Sequence, residues 1–285
     1  GLLLKSSIYL YDGSPFFPKP EVLWNYIDEE KVNFMGVSAK YIDALSKENI
    51  NIIDNYKLTD LEIIGSTGSP LVHESFDYIY TNIKKDVSVA SLSGGTDIVG
   101  CFIGGNPMSV VRRGEIQGPI LGMDVHVYND NGLSVKNEKG ELVCTQSFPT
   151  MPLYFWNDKN NEKYHDAYFG KYNNVWCHGD YIVKTENNGF IIFGRSDATL
   201  NPGGVRIGTA EIYRQVEQIE EVIEGLVIGQ IWQGDTRVVL FVRLSQGVDL
   251  KEDLINKIKT KIKIGASPRH VPAKIIVVND IPRTK

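Results

Sequence analysis

Three features are scarce in this sequence of 285 residues, and each scarcity argues against a class of protein. Cysteine is the first: Cys101, Cys144 and Cys177 are the only three, and their separations fit no metal-binding motif. An odd number of cysteines without such spacing favours reduced thiols, and hence a cytoplasmic location. Long hydrophobic runs are the second, because no segment approaches the roughly 20 apolar residues of a membrane-spanning helix. No secretory signal is visible either, so we expect no membrane partner.

Excess positive charge is the third missing feature. The 30 basic residues are outnumbered by 35 acidic ones, and the net charge of -5 argues against a nucleic-acid partner. The five histidines show no metal-ligand spacing, and no Gly-x-Ser-x-Gly nucleophile elbow is present. What remains is a globular chain, 42% hydrophobic and long enough for two domains.

The first 113 residues alternate between strand-like and helix-like segments. Such alternation predicts an α/β fold with a mostly parallel sheet, whose ligands bind at the carboxyl ends of the strands. Two glycine-rich loops, residues 65–70 and 93–97, follow strand-like runs, so we expect a nucleotide there. The predicted strands are 7–11, 32–35, 61–64 and 87–92, and the predicted helices are 20–30, 39–47 and 72–83.

The rest of the chain changes character twice. Residues 114–196 have short β-like runs and frequent turns, which predict an antiparallel subdomain or a small barrel. Residues 197–285 predict the order helix, strand, strand, helix, strand, which is a small α/β lid. Thr209 is expected to cap the first helix of this lid. We therefore expect a large domain over residues 1–196, divided near residue 113, followed by the lid.

Residues 176–212 contain the densest set of polar motifs. Two β-like runs, 175–181 and 189–193, are joined by an Asn-Asn-Gly turn that predicts a hairpin. This hairpin would place Asp180 at the end of one strand and Arg195 just past its partner. A carboxylate there can accept two hydrogen bonds from a diol, and a nearby guanidinium can donate to the same carboxylate.

This run resembles the adenylate-forming acyl-CoA synthetases, in the spacing from Gly-Asp to Gly-Arg-x-Asp and on to Gly-x-Arg-Ile-Gly-Thr-Ala-Glu-Ile. The resemblance implies that Asp180 holds the ribose hydroxyls of ATP and that Arg195 also contacts the ribose. It further implies that Asp197 is the hinge between the large domain and the lid. Without the resemblance, the same residues would be a β-hairpin, a surface salt bridge and a glycine-rich linker.

The loop Gly94-Gly95-Thr96-Asp97 matches the Gly-x-Thr-Glu loop of the same family. The resemblance implies that Gly95 and Thr96 bind the nucleotide, and that the Thr96 hydroxyl donates catalytically to the α-phosphate. Asp97 would hold Mg²⁺, a hard cation that prefers oxygen ligands. Aspartate is one methylene shorter than the family's usual glutamate, so the metal is expected to bind through water. A tight turn is the alternative interpretation of this loop.

Gly68-Ser69-Pro70 stands where the family often has Gly-Glu-Pro beside the adenine ring. Ser69 lacks the glutamate carboxylate, so the resemblance implies contact to adenine through the backbone. An ordinary strand-to-helix loop, with proline in the first turn of the helix, explains these three residues equally well.

Pro202-Gly203-Gly204-Val205-Arg206 matches the lid loop that lines the pantetheine tunnel in the family. The resemblance implies that Gly203 and Gly204 bind CoA, because glycine lets a thin cofactor approach the backbone. Arg206 would bind CoA and act in catalysis by facing phosphate groups. The later basic residues Lys261, Lys263 and Arg269 either meet the CoA nucleotide phosphate or form a solvated helix face.

Three further stretches resemble the branch of the family that activates acetoacetate, a short β-keto acid: residues 10–16, 91–98 and 148–152. In acetyl-specific relatives a tryptophan closes the acid pocket at the position of Gly94, next to Ser93. The resemblance therefore implies a pocket for a four-carbon acid at these two residues. The implied small molecules are acetoacetate, ATP with Mg²⁺, and CoA; the oligomeric state is left open, a homo-oligomer included.

The implied reaction is ATP-dependent ligation of the acid to CoA through an acyl-adenylate, with the lid rotating about Asp197. The alternatives are another short or medium carboxylic acid, transfer to a carrier protein, and nucleotide binding without catalysis. The family's phosphate loop and its C-terminal catalytic lysine are not found between Gly1 and Lys285. We therefore expect a fragment that lacks the N-terminal part and the extreme C-terminus, and that is inactive on its own.

Overall fold

The first sheet of the computed structural model has three parallel strands, and it confirms the parallel sheet predicted from the alternating pattern. The structure describes residues 5–200, 202, 205, 207–233 and 235–282, with the backbone alone at residue 235. The strands lie in the order β1, β2, β3, and they are β1 (Phe34–Ser38), β2 (Ile63–Thr67) and β3 (Ser88–Ser91). The helices of this part are α1 (Val22–Glu29), α2 (Ala39–Lys47) and α3 (His73–Tyr78), which a π-helical turn extends over Ile79–Ile83.

Helix α2 has the bounds that its hydrophobic spacing predicted. The Ser38 side chain accepts a hydrogen bond from the Tyr41 backbone N at 3.2 Å, which caps the helix. Tyr41, Ile42 and Leu45 lie on the buried face, where Ile42 and Leu45 are fully buried. This face and the sheet share one core with Trp24.

The predicted strand over residues 7–11 is wrong, because this segment has no regular secondary structure. Ile8, Tyr9, Leu10 and Tyr11 are all exposed, Leu10 at 89%. Alternating residues form a strand when one face is buried and the backbone has a neighbour to pair with. Neither condition is met here among the described residues.

The middle of the chain forms two antiparallel sheets. The second lies within residues 114–196, as their turn-rich pattern predicted, whereas most of the first lies before residue 114, where a mostly parallel sheet was predicted. The first sheet has the order β4-β5-β6 and consists of β4 (Ser93–Gly95), β5 (Gly100–Gly104) and β6 (Gly118–Pro119). The second has the order β10-β9-β8-β7 and consists of β7 (Val125–Tyr128), β8 (Lys139–Cys144), β9 (Trp176–Lys184) and β10 (Phe190–Arg195). Phe102, Trp176 and Phe190 belong to the core that both sheets share.

A short helix, α4 (Glu162–Tyr168), lies between β8 and β9 and was not predicted. The Asp158 carboxylate accepts hydrogen bonds from the backbone N atoms of Lys163 and Tyr164, at 3.1 and 2.8 Å. The helix packs through Tyr168, whose ring stacks on Trp176 with 3.7 Å between the ring centroids. Its seven residues are too few for a helical period to stand out in the sequence.

The end of the chain forms a small α/β unit in the predicted order. Its elements are α5 (Thr209–Val216), β11 (Val222–Trp232), β12 (Asp235–Leu244), α6 (Glu252–Gly265) and β13 (Lys274–Val277). Strand β12 is central, antiparallel to β11 and parallel to β13. The core of this unit begins at Leu200, whereas the domain boundary at residue 197 stays a prediction. None of the described helices is long and apolar enough to span a bilayer.

The predicted cap of α5 is wrong by one residue. Thr209 is the first helical residue, and Gly208 occupies the capping position. The Glu211 carboxylate accepts a hydrogen bond from the Gly208 backbone N at 3.0 Å, so a glutamate in the first turn supplies the cap.

Candidate nucleotide and acid site

The β9–β10 hairpin places Asp180 and Arg195 directly opposite each other. Asp180 lies inside β9 rather than at its end, and Arg195 is the last residue of β10 rather than just past it. The Arg195 Nη1 atom lies 3.4 Å from Asp180 Oδ1. Gly179, at φ +81°, permits this approach, because a Cβ there would lie 2.6 Å from Arg195 Nη2.

Asp180 also contacts the loop predicted to bind the acid. The Ser93 hydroxyl donates a hydrogen bond to Asp180 Oδ2 at 3.0 Å, although 87 residues separate the two in sequence. Asp180 is only 8% exposed, so both carboxylate oxygens face protein groups. The structure therefore brings a predicted ribose ligand and a predicted acid-pocket residue into one polar cluster.

Arg195 links this cluster to the predicted hinge. Its Nη1 donates to the His178 carbonyl at 2.8 Å, and its Nε lies 3.4 Å from Asp197 Oδ1. The Arg195 side chain is half exposed, and Asp197 is more exposed still. A guanidinium in this position can reach a nucleotide while staying oriented by protein oxygens.

His178 is also a member of the cluster, although the sequence analysis did not include it among the site residues. Its Nε2 lies 3.1 Å from the Gly94 carbonyl oxygen, and its ring contacts Phe102 edge-on at 4.8 Å between centroids. Burial lowers the pKa of His178, while the Asp180 charge and the Gly94 contact oppose that shift. The sequence feature that could have indicated a role for His178 is its position directly before Gly179-Asp180.

Gly94 has a role that the sequence interpretation did not foresee. A Cβ at Gly94 would overlap the carbonyl oxygen of Gly100 and lie 2.5 Å from the Cα of Cys101. Strand β4 also has a β-bulge between Ser93 and Gly94, a device common next to active sites. Glycine is therefore needed here for the close approach of β5, and the role of Gly94 in admitting a four-carbon acid stays a prediction.

Thr96 and Asp97 follow β4 and are both exposed. Among the described residues, no side chain or backbone group hydrogen-bonds to the Thr96 hydroxyl. Asp97 Oδ2 accepts a hydrogen bond from the Tyr168 hydroxyl. Burial, together with this contact, raises the pKa of Tyr168, so the phenol keeps its proton and continues to donate.

The residues around Asp97 fit Mg²⁺ in one particular way. No group of three or more acidic, histidine or cysteine side chains in the described part of the chain could hold a metal by itself. Mg²⁺ in nucleotide enzymes is commonly bound by one or two carboxylates, waters and substrate phosphates. A single exposed carboxylate at Asp97 fits that mode and does not fit an all-protein metal cage.

The predicted adenine loop lies where the carboxyl ends of the strands of the first sheet meet. Gly68, Ser69 and Pro70 follow the carboxyl end of β2, next to β3, which leads into β4. Gly68 has φ +86°, and a Cβ there would meet no atom within 4 Å. The space that a side chain at Gly68 would occupy is therefore open, and the role of the loop in binding adenine stays a prediction.

The predicted CoA loop falls largely outside the described residues. Gly203, Gly204 and Arg206 are among the residues that the structure does not describe, and so is Lys285. Of the three basic residues predicted for the CoA phosphate, Lys263 and Arg269 are exposed and Lys261 is half-buried. Their role stays a prediction.

The residue before Asp197 is held firmly by the hairpin and by β8. The Ser196 backbone N donates to the Gly179 carbonyl at 2.7 Å, and its hydroxyl donates to Glu141 Oε2. Glu141 is only 2% exposed, and its Oε1 lies 2.7 Å from Lys171 Nζ. A pivot at Asp197 would thus start from a fixed residue.

Ion pairs join the last α/β unit to the rest of the chain. Lys139 of β8 donates to both carboxylate oxygens of Glu211 in α5, at 2.8 and 2.9 Å. Lys40 of α2 lies 2.9 Å from Glu224 of β11. These contacts fix the orientation of the unit seen here.

The ion pair between Lys139 and Glu211 depends on pH, because the Glu211 carboxylate must be charged to form it. Burial raises the pKa of Glu211, but His270, Lys139 and the Gly208 backbone N favour its charged form and together lower the pKa to about 2. The ordinary value is 4.5, so the stabilisation is complete above about pH 4.5 and is lost as pH falls towards 2.

Glu211→Gln should therefore lower the free energy of unfolding at pH 6 by about 1.5–3 kcal/mol, the usual contribution of hydrogen bonds to a charged group. The difference from the wild type should shrink as the pH falls from 4.5 towards 2. Urea unfolding at a series of pH values measures both effects, with Glu138→Gln in an exposed turn as the control. A difference that does not change with pH would contradict the assignment.

Comparisons with known proteins show what the chain is similar to. No family model matches the chain. The acetoacetyl-coenzyme A synthetase of Rhizobium meliloti (strain 1021) is 59% identical over 285 residues, which is 100% of this chain and 44% of that protein. The solved acetoacetyl-CoA synthetase from Streptomyces lividans is 40% identical, with a TM-score of 0.89 over 96% of this chain and 42% of that chain.

A more distant solved structure shows the fold alone. The anthranilate CoA ligase AuaEII, in complex with anthranoyl-AMP, has a TM-score of 0.77 at 21% identity, over 96% of this chain and 51% of that chain. The chain spans less than half the length of the curated relative described above. Sequence and fold together confirm the resemblance: the chain is similar to a C-terminal part of the acetoacetyl-CoA synthetases, which are adenylate-forming CoA ligases.

Proposed function

We propose that the full-length protein ligates acetoacetate to CoA at the expense of ATP, through an acyl-adenylate. The observation that carries this proposal is the cluster of Ser93, Asp180 and Arg195 beside the exposed Thr96-Asp97 loop. In this proposal Asp180 and Arg195 bind the ribose diol, Thr96 binds a phosphate, and the strand that carries Ser93 binds the acid. The relatives reported above are named acetoacetyl-CoA synthetases.

The first half-reaction needs no nucleophile from the protein. An oxygen of the acid's carboxylate attacks the α-phosphorus of ATP, a new P–O bond forms, and pyrophosphate leaves with the electron pair of the broken bond. The contribution of the chain is alignment and charge stabilisation. Asp180 accepts hydrogen bonds from the ribose hydroxyls, Arg195 donates to the ribose, and the Thr96 hydroxyl donates to the α-phosphate.

Asp97 would hold Mg²⁺ through water, with Tyr168 orienting the carboxylate. When bound, Mg²⁺ supplies charge neutralisation on the phosphates. The backbone of Gly68, Ser69 and Pro70 would face the adenine ring. The residues assigned here follow the carboxyl end of β2 or lie next to β4. Strand β3 neighbours β2 and leads directly into β4.

In the second half-reaction the CoA sulfur attacks the acyl carbon, a thioester forms, and AMP leaves with the electrons of the acyl–oxygen bond. The thiol proton passes to solvent. Gly203, Gly204 and Arg206 would line the CoA path after the lid turns about Asp197. The fixed position of Ser196 supports a pivot there. The three free cysteines support the cytoplasm as the proposed location.

The test supplies the full-length protein with MgATP, CoA and either acetoacetate or acetate, and measures pyrophosphate and thioester. We expect both products from acetoacetate, with a preference over acetate of roughly tenfold or more, because each buried methylene contributes about 0.8 kcal/mol. Equal use of acetate would contradict the acid assignment. Pyrophosphate without any thioester would instead support transfer to a carrier protein.

A further inference from the structure

Strand β4 connects the predicted acid pocket to the phosphate loop, yet it is poorly supported by other strands. It has three residues, contains a bulge, and pairs with β5 alone, so it lies at an edge of its sheet. On another side it contacts β9 of the neighbouring sheet through side chains. Two such contacts are present, Ser93 with Asp180 and Gly94 with His178.

The contact between His178 and Gly94 has a defined chemical direction. The Gly94 carbonyl can only accept, so the proton lies on Nε2 of the imidazole and is donated at 3.1 Å. Nδ1 is then an acceptor, and it is buried without a hydrogen-bond partner among the described residues. Charging the ring would add a proton to Nδ1, which has no hydrogen-bond partner among the described residues, and burial lowers the pKa of His178.

The ring of His178 also determines which residue can follow Gly94. A Cβ at Gly95 would lie 2.8 Å from Cε1 of His178, which is closer than real Cβ atoms come to other atoms. The ring is held from behind by the edge-on contact with Phe102. The space that a side chain at residue 95 would fill is therefore filled by the imidazole.

From these contacts we infer that His178 is a positioning residue for the acid site. Its Nε2–H fixes the Gly94 carbonyl and its ring packs against Gly95, which together hold the β4 bulge in place. The Ser93 hydroxyl then keeps its hydrogen bond to Asp180, and Thr96 lies exposed at the end of β4. The inference rests on the proposed function, because it assigns His178 to the binding of the acid that the site activates.

This role predicts a particular pattern of kinetic change. The nucleotide contacts of Asp180 and Arg195 come from the hairpin itself and survive the loss of the imidazole, whereas the shape of β4 does not. A change at His178 should therefore alter KM for the acid and the choice between acids, with little effect on ATP binding. A purely structural role would lower thermal stability and affect both substrates alike.

The experiment compares His178→Leu, which keeps bulk and loses the donor, with His178→Gln, whose side-chain amide can still donate to Gly94. In the full-length protein, His178→Leu should raise KM for acetoacetate roughly five- to tenfold and reduce the preference over acetate, while ATP affinity changes less than about threefold. His178→Gln should recover most of the loss. His165→Leu, at an exposed histidine of α4, is the matched control and should change nothing.

Hydrogen exchange gives a readout that does not need turnover. His178→Leu should speed exchange of the amides of residues 93–96 relative to both the wild type and His178→Gln. If the wild type does not activate acetoacetate, the proposed function fails, and this exchange difference still decides the role of His178. The inference is overturned if His178→Leu leaves KM for the acid and the exchange of β4 unchanged, or if its losses fall equally on ATP and are not rescued by glutamine.

Discussion

Replacing Asp180 with alanine in the full-length protein should weaken MgATP binding by about one to two orders of magnitude. The carboxylate would accept two hydrogen bonds from the ribose, and hydrogen bonds to a charged group contribute about 1.5–3 kcal/mol. The same change removes the acceptor of the Ser93 hydroxyl and the charge opposite Arg195. Isothermal titration with MgATP measures the loss of affinity directly.

Two further variants separate the ribose contact from a general effect of charge. Asp180→Asn keeps the shape of the side chain and one acceptor, so its loss should be intermediate. Asp86→Ala removes an exposed carboxylate that lies 3.8 Å from Lys84 in another part of the fold, and it should bind MgATP normally. An unchanged ATP affinity in a folded Asp180→Ala protein would show that the ribose is bound elsewhere.

The pairing of Asp180 with Arg195 was predictable because the two residues are close in sequence. Asp180 and Arg195 lie 15 residues apart on a hairpin that the Asn-Asn-Gly turn predicts. In the structure they are directly opposite each other in the two strands. The order of elements in the last unit was predictable for a similar reason: each helix and strand there is long enough to show its own period. Local patterns thus recovered most of the scaffold.

What was not predictable depends on contacts between residues distant in sequence. The hydrogen bond from Ser93 to Asp180 and the one from His178 to Gly94 join two sheets, and no local pattern encodes which side chains meet there. Tyr168 escaped notice for a second reason, since the short helix that carries it was itself missed. Its contact with Asp97 could only follow from that helix.

Glycine 94 shows how a correct observation can have an incomplete explanation. The sequence indicated that a bulky residue is missing at this position, and the expected consequence was a larger acid pocket. In the structure the backbone of β5 occupies the place of a side chain at Gly94, and His178 occupies the corresponding place at Gly95. Acid choice would then depend on how β4 is held as well as on the size of one residue.

The largest effect on rate is expected from Thr96→Val, which keeps the shape of the side chain and removes the hydroxyl. In the proposed mechanism this hydroxyl donates to the α-phosphate as charge develops there. Losing one such preorganised donor typically lowers the rate about 10²- to 10³-fold. Thr96 is exposed at the end of β4, and no described group competes for its hydroxyl, so the donor is available to the phosphate.

The measurement that isolates this step is exchange of labelled pyrophosphate into ATP in the presence of acetoacetate, together with MgATP affinity. Thr96→Val should lose exchange activity while ATP affinity falls much less, because the donor stabilises the transition state more than the bound substrate. Thr96→Ser restores the hydroxyl and should recover most of the exchange. Equal losses in Thr96→Val and Thr96→Ser would show that the methyl group, and hence packing, matters at this position, and a fully active Thr96→Val would place the α-phosphate donor on another residue.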